Sequence, residues 1–247
     1  MKIFENKVAL VTGANSGIGY AAARQLVSEG ATVIMTGRRA EAIREAAQKI
    51  GGIAMVADQA KLPDTDRLFE DVKSRYGHLD ILFVNAGITG KQAFIEQASE
   101  ENFDAVMNIN FKGAYFMLSR FIPLLASGAS VVILSSIAAS THMARSSVYQ
   151  ASKAALNSMA KTAAAELADR KIRVNLVSPG PHKTEVLKKA GLNEQELDQI
   201  NQHLTSIIPL KQMGNPADVA KLVSYLSRPE SAFITGAEVI VDGGMTL

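Results

Sequence analysis

The sequence predicts an α/β fold built on a parallel sheet with helices on both faces. Three observations lead there: short unbroken apolar runs recur along the chain, segments of helical period separate them, and a glycine-rich turn joins the first run to the first helix. A strand covered on both faces reads as a continuous apolar run, because neither side meets water. Parallel neighbours need a long crossover, which a helix supplies.

Val8-Ala9-Leu10-Val11 is the first run. The turn Thr12-Gly13-Ala14-Asn15-Ser16-Gly17-Ile18-Gly19 follows, then a helix from Tyr20 to Ser28 closed by Gly30, and a second strand, Thr32 to Thr36, running into Gly37-Arg38-Arg39. That is a βαβ unit. Helices Ala40–Ile50 and Asp64–Tyr76 alternate with strands Ile53–Ala57 and Ile81–Val84, so the winding continues. A long helical pattern from about Asn102 to Leu125 carries Asn110-Phe111-Lys112-Gly113 in its middle. Asn and Gly cost helix stability, so the helix bends there or something else requires them. A fifth strand, Val131 to Leu134, ends in Ser135-Ser136. A helix from Val148 to Leu167, free of Pro and Gly, leads to the strand Arg173–Val177 and to Ser178-Pro179-Gly180-Pro181. Residues 182–213 are polar and less regular and read as a lid over a site. Helix Pro216–Leu226 and strand Glu238–Val241 complete a single domain over residues 1–247, with Asp242-Gly243-Gly244 after the last strand.

Two stretches carry chemistry. In the glycine turn the spacing is G-x-x-x-G-x-G: glycines let the backbone turn tightly and approach a ligand, and a helix N-terminus suits a phosphate, so a pyrophosphate fits here. A tight turn alone is the plainer alternative. In Tyr149-Gln150-Ala151-Ser152-Lys153 the phenol and the amine stand four apart on one helix face. A phenol of pKa about 10 is a poor acid near neutrality, but a nearby cation favours its phenolate, and Tyr149 then exchanges a proton with a substrate oxygen. The alternative is two neighbours on a solvated face. Ser136, at a strand end, lies close enough along the chain for its hydroxyl to meet the phenol. Asp58 and Asn85-Ala86-Gly87 sit just past the third and fourth strands, where open parallel sheets bind ligands. Asp58 can accept from an adenine amine, or can be an ordinary cap or turn residue.

Composition narrows the function. Lys plus Arg number 26 against 24 Asp plus Glu, a net charge of +2, with no basic run that would suit nucleic acid. There are no cysteines, hence no disulfide, thiolate metal site or thiol catalysis, and the four histidines have no ligand spacing, so no metal is expected. The start lacks the pattern of a signal peptide and no apolar run reaches spanning length, so a cytoplasmic location without membrane contact is the expectation.

Together these residues resemble the short-chain dehydrogenase/reductase family in its single-domain form, with matches from Thr12 to Gly244. The resemblance implies a Rossmann-type, doubly wound, seven-stranded parallel sheet in the order 3-2-1-4-5-6-7 with a bound nicotinamide dinucleotide. It implies a catalytic tetrad of Asn110, Ser136, Tyr149 and Lys153, in which Ser136 and Tyr149 hold the carbonyl oxygen, Lys153 touches the nicotinamide ribose and lowers the phenol pKa, and Asn110 holds a water. Dinucleotide contacts are implied for Gly13, Asn15, Ser16, Gly17, Ile18 and Gly19, for Asp58 with Gln59, for Asn85, Ala86 and Gly87, and for Pro179, Gly180 and Thr184. The substrate implied is a small carbonyl compound or alcohol. A homotetramer is also implied, with the Asn102–Leu125 and Val148–Leu167 helices between subunits.

NAD enzymes usually carry an acid at the end of the second strand. Here that place is Gly37, followed by Arg38 and Arg39, which can form charge-assisted bonds to a 2′-phosphate, so NADP is expected over NAD. The pair is otherwise solvated charge. The sequence departs from the family pattern at Val84, at Gln59 where Val is usual, and at Asn15-Ser16, where some NADP-dependent members carry a basic residue. Three other functions remain. Reduction of 3-oxoacyl groups on acyl carrier protein is weakened because Ile88-Thr89-Gly90-Lys91-Gln92 lacks the usual arginines, enoyl reduction by the Tyr149–Lys153 spacing, and a non-catalytic dinucleotide sensor by the presence of both residues. His142, Met143 and Arg145 are expected at the substrate pocket, with Arg145 either a binder of a substrate acid group or a surface charge.

Overall fold

The computed structural model describes residues 2–183 and 194–247. Seven strands run parallel in the order 3-2-1-4-5-6-7: β1 (Val8–Val11), β2 (Thr32–Gly37), β3 (Ile53–Val56), β4 (Leu79–Val84), β5 (Leu125–Leu134), β6 (Arg173–Pro179) and β7 (Glu238–Val241). Side chains alternate across each strand, and in the inner strands both faces are buried. Leu10, Ile34, Leu82, Val131 and Leu176 pack on one side beneath α3 (Leu62–Tyr76), α5 (Ala114–Phe121) and α6 (Ser147–Glu166). Val11, Val33, Phe83, Val132 and Val177 pack on the other beneath α1 (Gly17–Ser28), α2 (Ala40–Ile50) and α8 (Pro216–Ser227). The apolar runs are continuous for this reason.

The winding reverses between β1 and β4, which are direct neighbours. Chains leaving two such strands diverge to opposite sides and open a crevice at their carboxyl ends. The glycine turn after β1 and Asn85-Ala86-Gly87 after β4 therefore meet at one rim.

The expected helix over Asn102–Leu125 is three pieces. Helix α4 (Glu100–Met107) passes into a π-helical segment, Asn108–Gly113, then into α5. Pro123 ends α5 early: its ring cannot continue the hydrogen-bond ladder, and residues 122–124 tighten into a 3-10 turn. Strand β5 thus begins at Leu125, opposite Leu79, six residues before the expected start, with an irregularity before Ser130 meets Ile81. The π segment answers the cost of Asn and Gly noted above. A Cβ at Gly113 would lie 2.3 Å from the Gln59 carbonyl oxygen, so only glycine fits.

Helix α1 starts at Gly17, not Tyr20, because the last glycines of the turn form its first turn. Within the expected lid, residues 184–193 lie outside the described ones, and α7 (Glu194–Ile207) follows. Among the described residues no helix is long and apolar enough to cross a membrane.

Candidate active site

The rim at the β1–β4 junction is locked by a small set of hydrogen bonds. Thr12 Oγ1 accepts from the Asn85 and Ala86 backbone N–H groups, both at 3.0 Å, and Asn85 Nδ2 donates to the carbonyls of Thr12 (2.8 Å) and Gly13 (3.3 Å). Gly13 has φ +64°, and a Cβ at Gly19 would lie 2.4 Å from Asn85 Nδ2 and 2.6 Å from the Gly13 oxygen. Helix α1 has no acidic residue in its first turn, so its own chain does not neutralise the positive end of its dipole. A close-packed backbone beside such a terminus fits a pyrophosphate. Asn15, Ser16 and Gly17 line one large cleft together with Arg39, and Arg24 and Lys49 extend it along α1 and α2. Asn15 Oδ1 stands 3.2 Å from where a Gly37 Cβ would be, so the turn also rests on the end of β2.

Tyr149, Lys153, Ser136 and Asn110 converge beside this rim. Tyr149 and Lys153 stand one turn apart at the start of α6, and Lys153 Nζ lies 5.8 Å from the phenol ring centroid. The amine, 3% exposed, donates to the Leu134 carbonyl at 2.8 Å, and burial lowers its pKa to about 8. Ser136 caps a short 3-10 turn, its Oγ accepting from Ala138 N at 3.2 Å. Burial pushes the Tyr149 phenol above its usual value, while a hydrogen bond with the Ser136 side chain pulls it down. The net direction is up, opposite to the expected lowering by Lys153. The amine is desolvated itself and bound to a carbonyl, which blunts its pull on the phenol.

Asn110 sits fully buried in the π segment: Oδ1 accepts from Ile88 N at 2.8 Å, and Nδ2 donates to Ile88 O at 2.8 Å and Ser152 Oγ at 3.0 Å. Both side-chain donors are spent, so its visible work is to tie the loop after β4 to α6.

The other expected contacts divide. Asp58 accepts from Ala60 N at 3.1 Å, the turn role that was its alternative reading, and retains a second oxygen. Gln59 is buried, with Nε2 donating to Ala86 O (3.2 Å) and Ile109 O (3.0 Å) and Oε1 without a partner among the described residues. Its side chain is thus a tie between segments rather than part of the rim surface. Gly180 packs against Asp242 at the carboxyl end of β6, after Pro179. Arg38 and Arg39 are exposed. Thr184 lies outside the described residues. Sequence reasoning missed what the Thr12 hydroxyl and the Gln59 amide do. Both were visible as polar residues flanking buried strands, but only the fold reveals their partners. Among the described residues no cluster of three or more His, Cys, Asp or Glu could hold a metal.

Comparison with known proteins adds to this geometry. A family model described as enoyl-(acyl carrier protein) reductase matches residues 13–246. The chain belongs to the short-chain dehydrogenase/reductase family. Members of the family are NAD(P)-dependent oxidoreductases. Its relatives include the oxidoreductase asL5 of Sarocladium schorii, 38% identical over 97% of this chain and 95% of that protein. The 3-oxoacyl-[acyl-carrier-protein] reductase FabG of Thermotoga maritima is 36% identical over 98% and 99%, and human dehydrogenase/reductase SDR family member 4 is 35% identical over 97% and 87%. Among solved structures, that of ribose-5-phosphate isomerase from Brucella melitensis 16M is similar with a TM-score of 0.91 at 28% identity, covering 99% of this chain and 94% of that one.

Proposed function

We propose that this short-chain dehydrogenase/reductase is a single catalytic domain that reduces the carbonyl of a small molecule with NADPH, or oxidises the corresponding alcohol, with Tyr149 as general acid and base. The observation that carries this reading is the phenol sharing a hydrogen bond with Ser136 while a buried amine lies beneath its ring, next to a rim that fits a pyrophosphate. When bound, the nicotinamide supplies or accepts the hydride. Ser136 Oγ accepts from Ala138 N and shares its one hydrogen with the phenol, so a substrate oxygen seated between the two hydroxyls would take over that hydrogen bond. Two hydroxyl donors aimed at an oxygen that gains negative charge stabilise the transition state more than the ground state. Tyr149 gives up its proton to that oxygen. A phenol raised by burial stays protonated at neutral pH and so is set for donation, which favours reduction. Lys153, at about 8, keeps mostly its charge at pH 7 and supports the phenolate that donation leaves.

For the dinucleotide, Arg39 on the cleft beside Asn15 and Ser16, with Arg38 next to it and no acid at Gly37, supports NADP over NAD. Equal dissociation constants for NADPH and NADH would defeat that choice. A homotetramer joined through α4, α5 and α6 is part of the proposal, supported by Phe103 and Tyr115, 47% and 46% exposed on α4 and α5; sedimentation as a monomer would reject it. Residues 182–213 are proposed as a substrate cover.

The second reading is reduction of 3-oxoacyl groups on acyl carrier protein, favoured by the full-length relative from Thermotoga maritima and weakened by the lack of arginine after Gly87. The deciding experiment is Tyr149→Phe. NADPH affinity is expected to persist while carbonyl reduction falls at least about a hundredfold; unchanged turnover would place the acid elsewhere.

A further inference from the structure

Tyr149 also lines a small recess, with room for roughly one water, that shares no lining residue with the dinucleotide cleft. Its walls include Lys91, Gln92 and Asn102 on one side and Arg145, Ser146 and Tyr149 on the other. Two basic residues, both exposed, therefore border one small recess with Tyr149. Each sits on a held backbone. Lys91 N donates to Asn102 Oδ1 at 2.7 Å, and Asn102 Nδ2 donates back to Lys91 O at 3.1 Å. The Arg145 carbonyl accepts from Ala93 N at 2.9 Å, which joins the loop after β4 to the loop before α6.

Arg145 has φ +67°, the left-handed region that costs a non-glycine residue roughly 1–3 kcal/mol and that concentrates at ligand clamps. Its guanidinium lies over the Phe94 ring, 5.6 Å from the centroid. A guanidinium held over a ring face keeps its fork of N–H donors available to an oxyanion. Among the described residues neither Lys91 nor Arg145 forms an ion pair with a carboxylate.

We infer that the substrate is an oxo acid: a small carbonyl compound whose carboxylate is received by Arg145 and Lys91 while its carbonyl oxygen meets Tyr149. The inference rests on the reductase reading above. It adds no step to the reaction, since the carboxylate only orients the carbonyl that takes up the hydride and the phenol proton. A 3-oxoacyl group on an acidic carrier would present its charge through a protein surface instead. A recess bordered by two basic residues and roomy enough for roughly one oxygen-sized group favours a charge within the substrate itself.

The experiment pairs oxo acids with their methyl esters: 4-oxopentanoate, benzoylformate and 4-carboxybenzaldehyde, each as acid and ester, with NADPH oxidation as the readout. The wild-type enzyme is expected to prefer at least one acid over its ester by about tenfold to a hundredfold in kcat/KM, the range for a hydrogen bond to a charged group. Arg145→Asn suits the test because Asn tolerates the left-handed conformation. It should bring that ratio toward one, mainly by raising KM for the acid, with Lys91→Ala doing so more weakly. Equal turnover of acids and esters, or a preference that survives in Arg145→Asn, overturns the inference and leaves the reductase reading standing. Turnover of 3-oxoacyl groups only when attached to acyl carrier protein overturns it in favour of the carrier. Failure to reduce any member of any pair, or any carrier-bound group, overturns the reductase reading and this inference with it.

Discussion

The two rims of the site are built differently. At the inner rim, where β1 and β4 diverge, nearly every polar atom is used: one hydroxyl serves two backbone donors, one amide serves two carbonyls, and the glycines are pressed against Asn85. At the outer rim, around residues 89–98 and 141–147, the backbone is held but the side chains of Lys91, Gln92 and Arg145 are exposed. The inner rim fixes the shape of a backbone and tolerates few residues. The outer rim presents side chains, and many would satisfy the same backbone.

The sharpest way to break this contrast is Thr12→Val. It leaves two part-buried N–H groups without their acceptor, at the lower end of about 1–3 kcal/mol each, so the loss should be about 2 kcal/mol in urea melts, with weakened NADPH binding. A loss under about 0.5 kcal/mol, within the range of an ordinary surface change, would mean that the inner rim is not interlocked. Gly19→Ala follows: overpacking against the Gly13 carbonyl should cost about 1–3 kcal/mol and impair dinucleotide affinity, read by NADPH fluorescence.

Lys153 gives a prediction in pH. The unfolded chain holds this proton up to 10.5, while the folded one releases it near 8, so the unfolded state binds more protons between those values. Stability from this group therefore rises with pH from about 8 to 10.5, and the full penalty, about 3 kcal/mol, acts below that window. Lys153→Met removes the penalty but leaves the Leu134 carbonyl without its donor, an offset of about 1–3 kcal/mol. Melts at pH 7 and pH 9.5 should show a flatter dependence in the variant than in the parent, along with lost turnover; equal slopes would show that the amine is not desolvated.

Gln59→Val should be milder, about 1 kcal/mol or less, because the two carbonyls it releases are partly offset by removing an unpartnered Oε1. The smallest effect belongs to the outer rim: Lys91→Ala should change stability by no more than about 0.5 kcal/mol. A larger destabilisation would make the two rims alike.

The same contrast explains what could be read from sequence. Val8-Ala9-Leu10-Val11 and its counterparts announced strands because burial on both faces leaves no alternation to blur them. Tyr149 and Lys153 were legible because a four-residue spacing on a helix fixes their relation. Pro123 could have been read and would have shortened the long helix; the early start of β5 could not, since Leu125 pairs with Leu79 only after the chain returns to the sheet. The direction of the Tyr149 shift depends on how much water the fold removes from the phenol, which spacing does not encode. Arg145 could be read as a binder of a substrate acid group or as a surface charge, but its backbone angle and its place over Phe94 depend on how the two loops meet.

The π-helical segment Asn108–Gly113 carries one further consequence. Each residue of an α-helix turns the chain by about 100°, so the wider loop there sets the phase of everything after it. A π turn holds about one residue more than an α turn, so deleting one residue between 108 and 113 would close it to an α turn, leave Met117, Leu118 and Phe121 near their places, and draw Asn110 away from Ile88. The extra residue of this turn is thus what carries Asn110 and Gly113 to their contacts with Ile88 and Gln59 while the helices on either side stay in register.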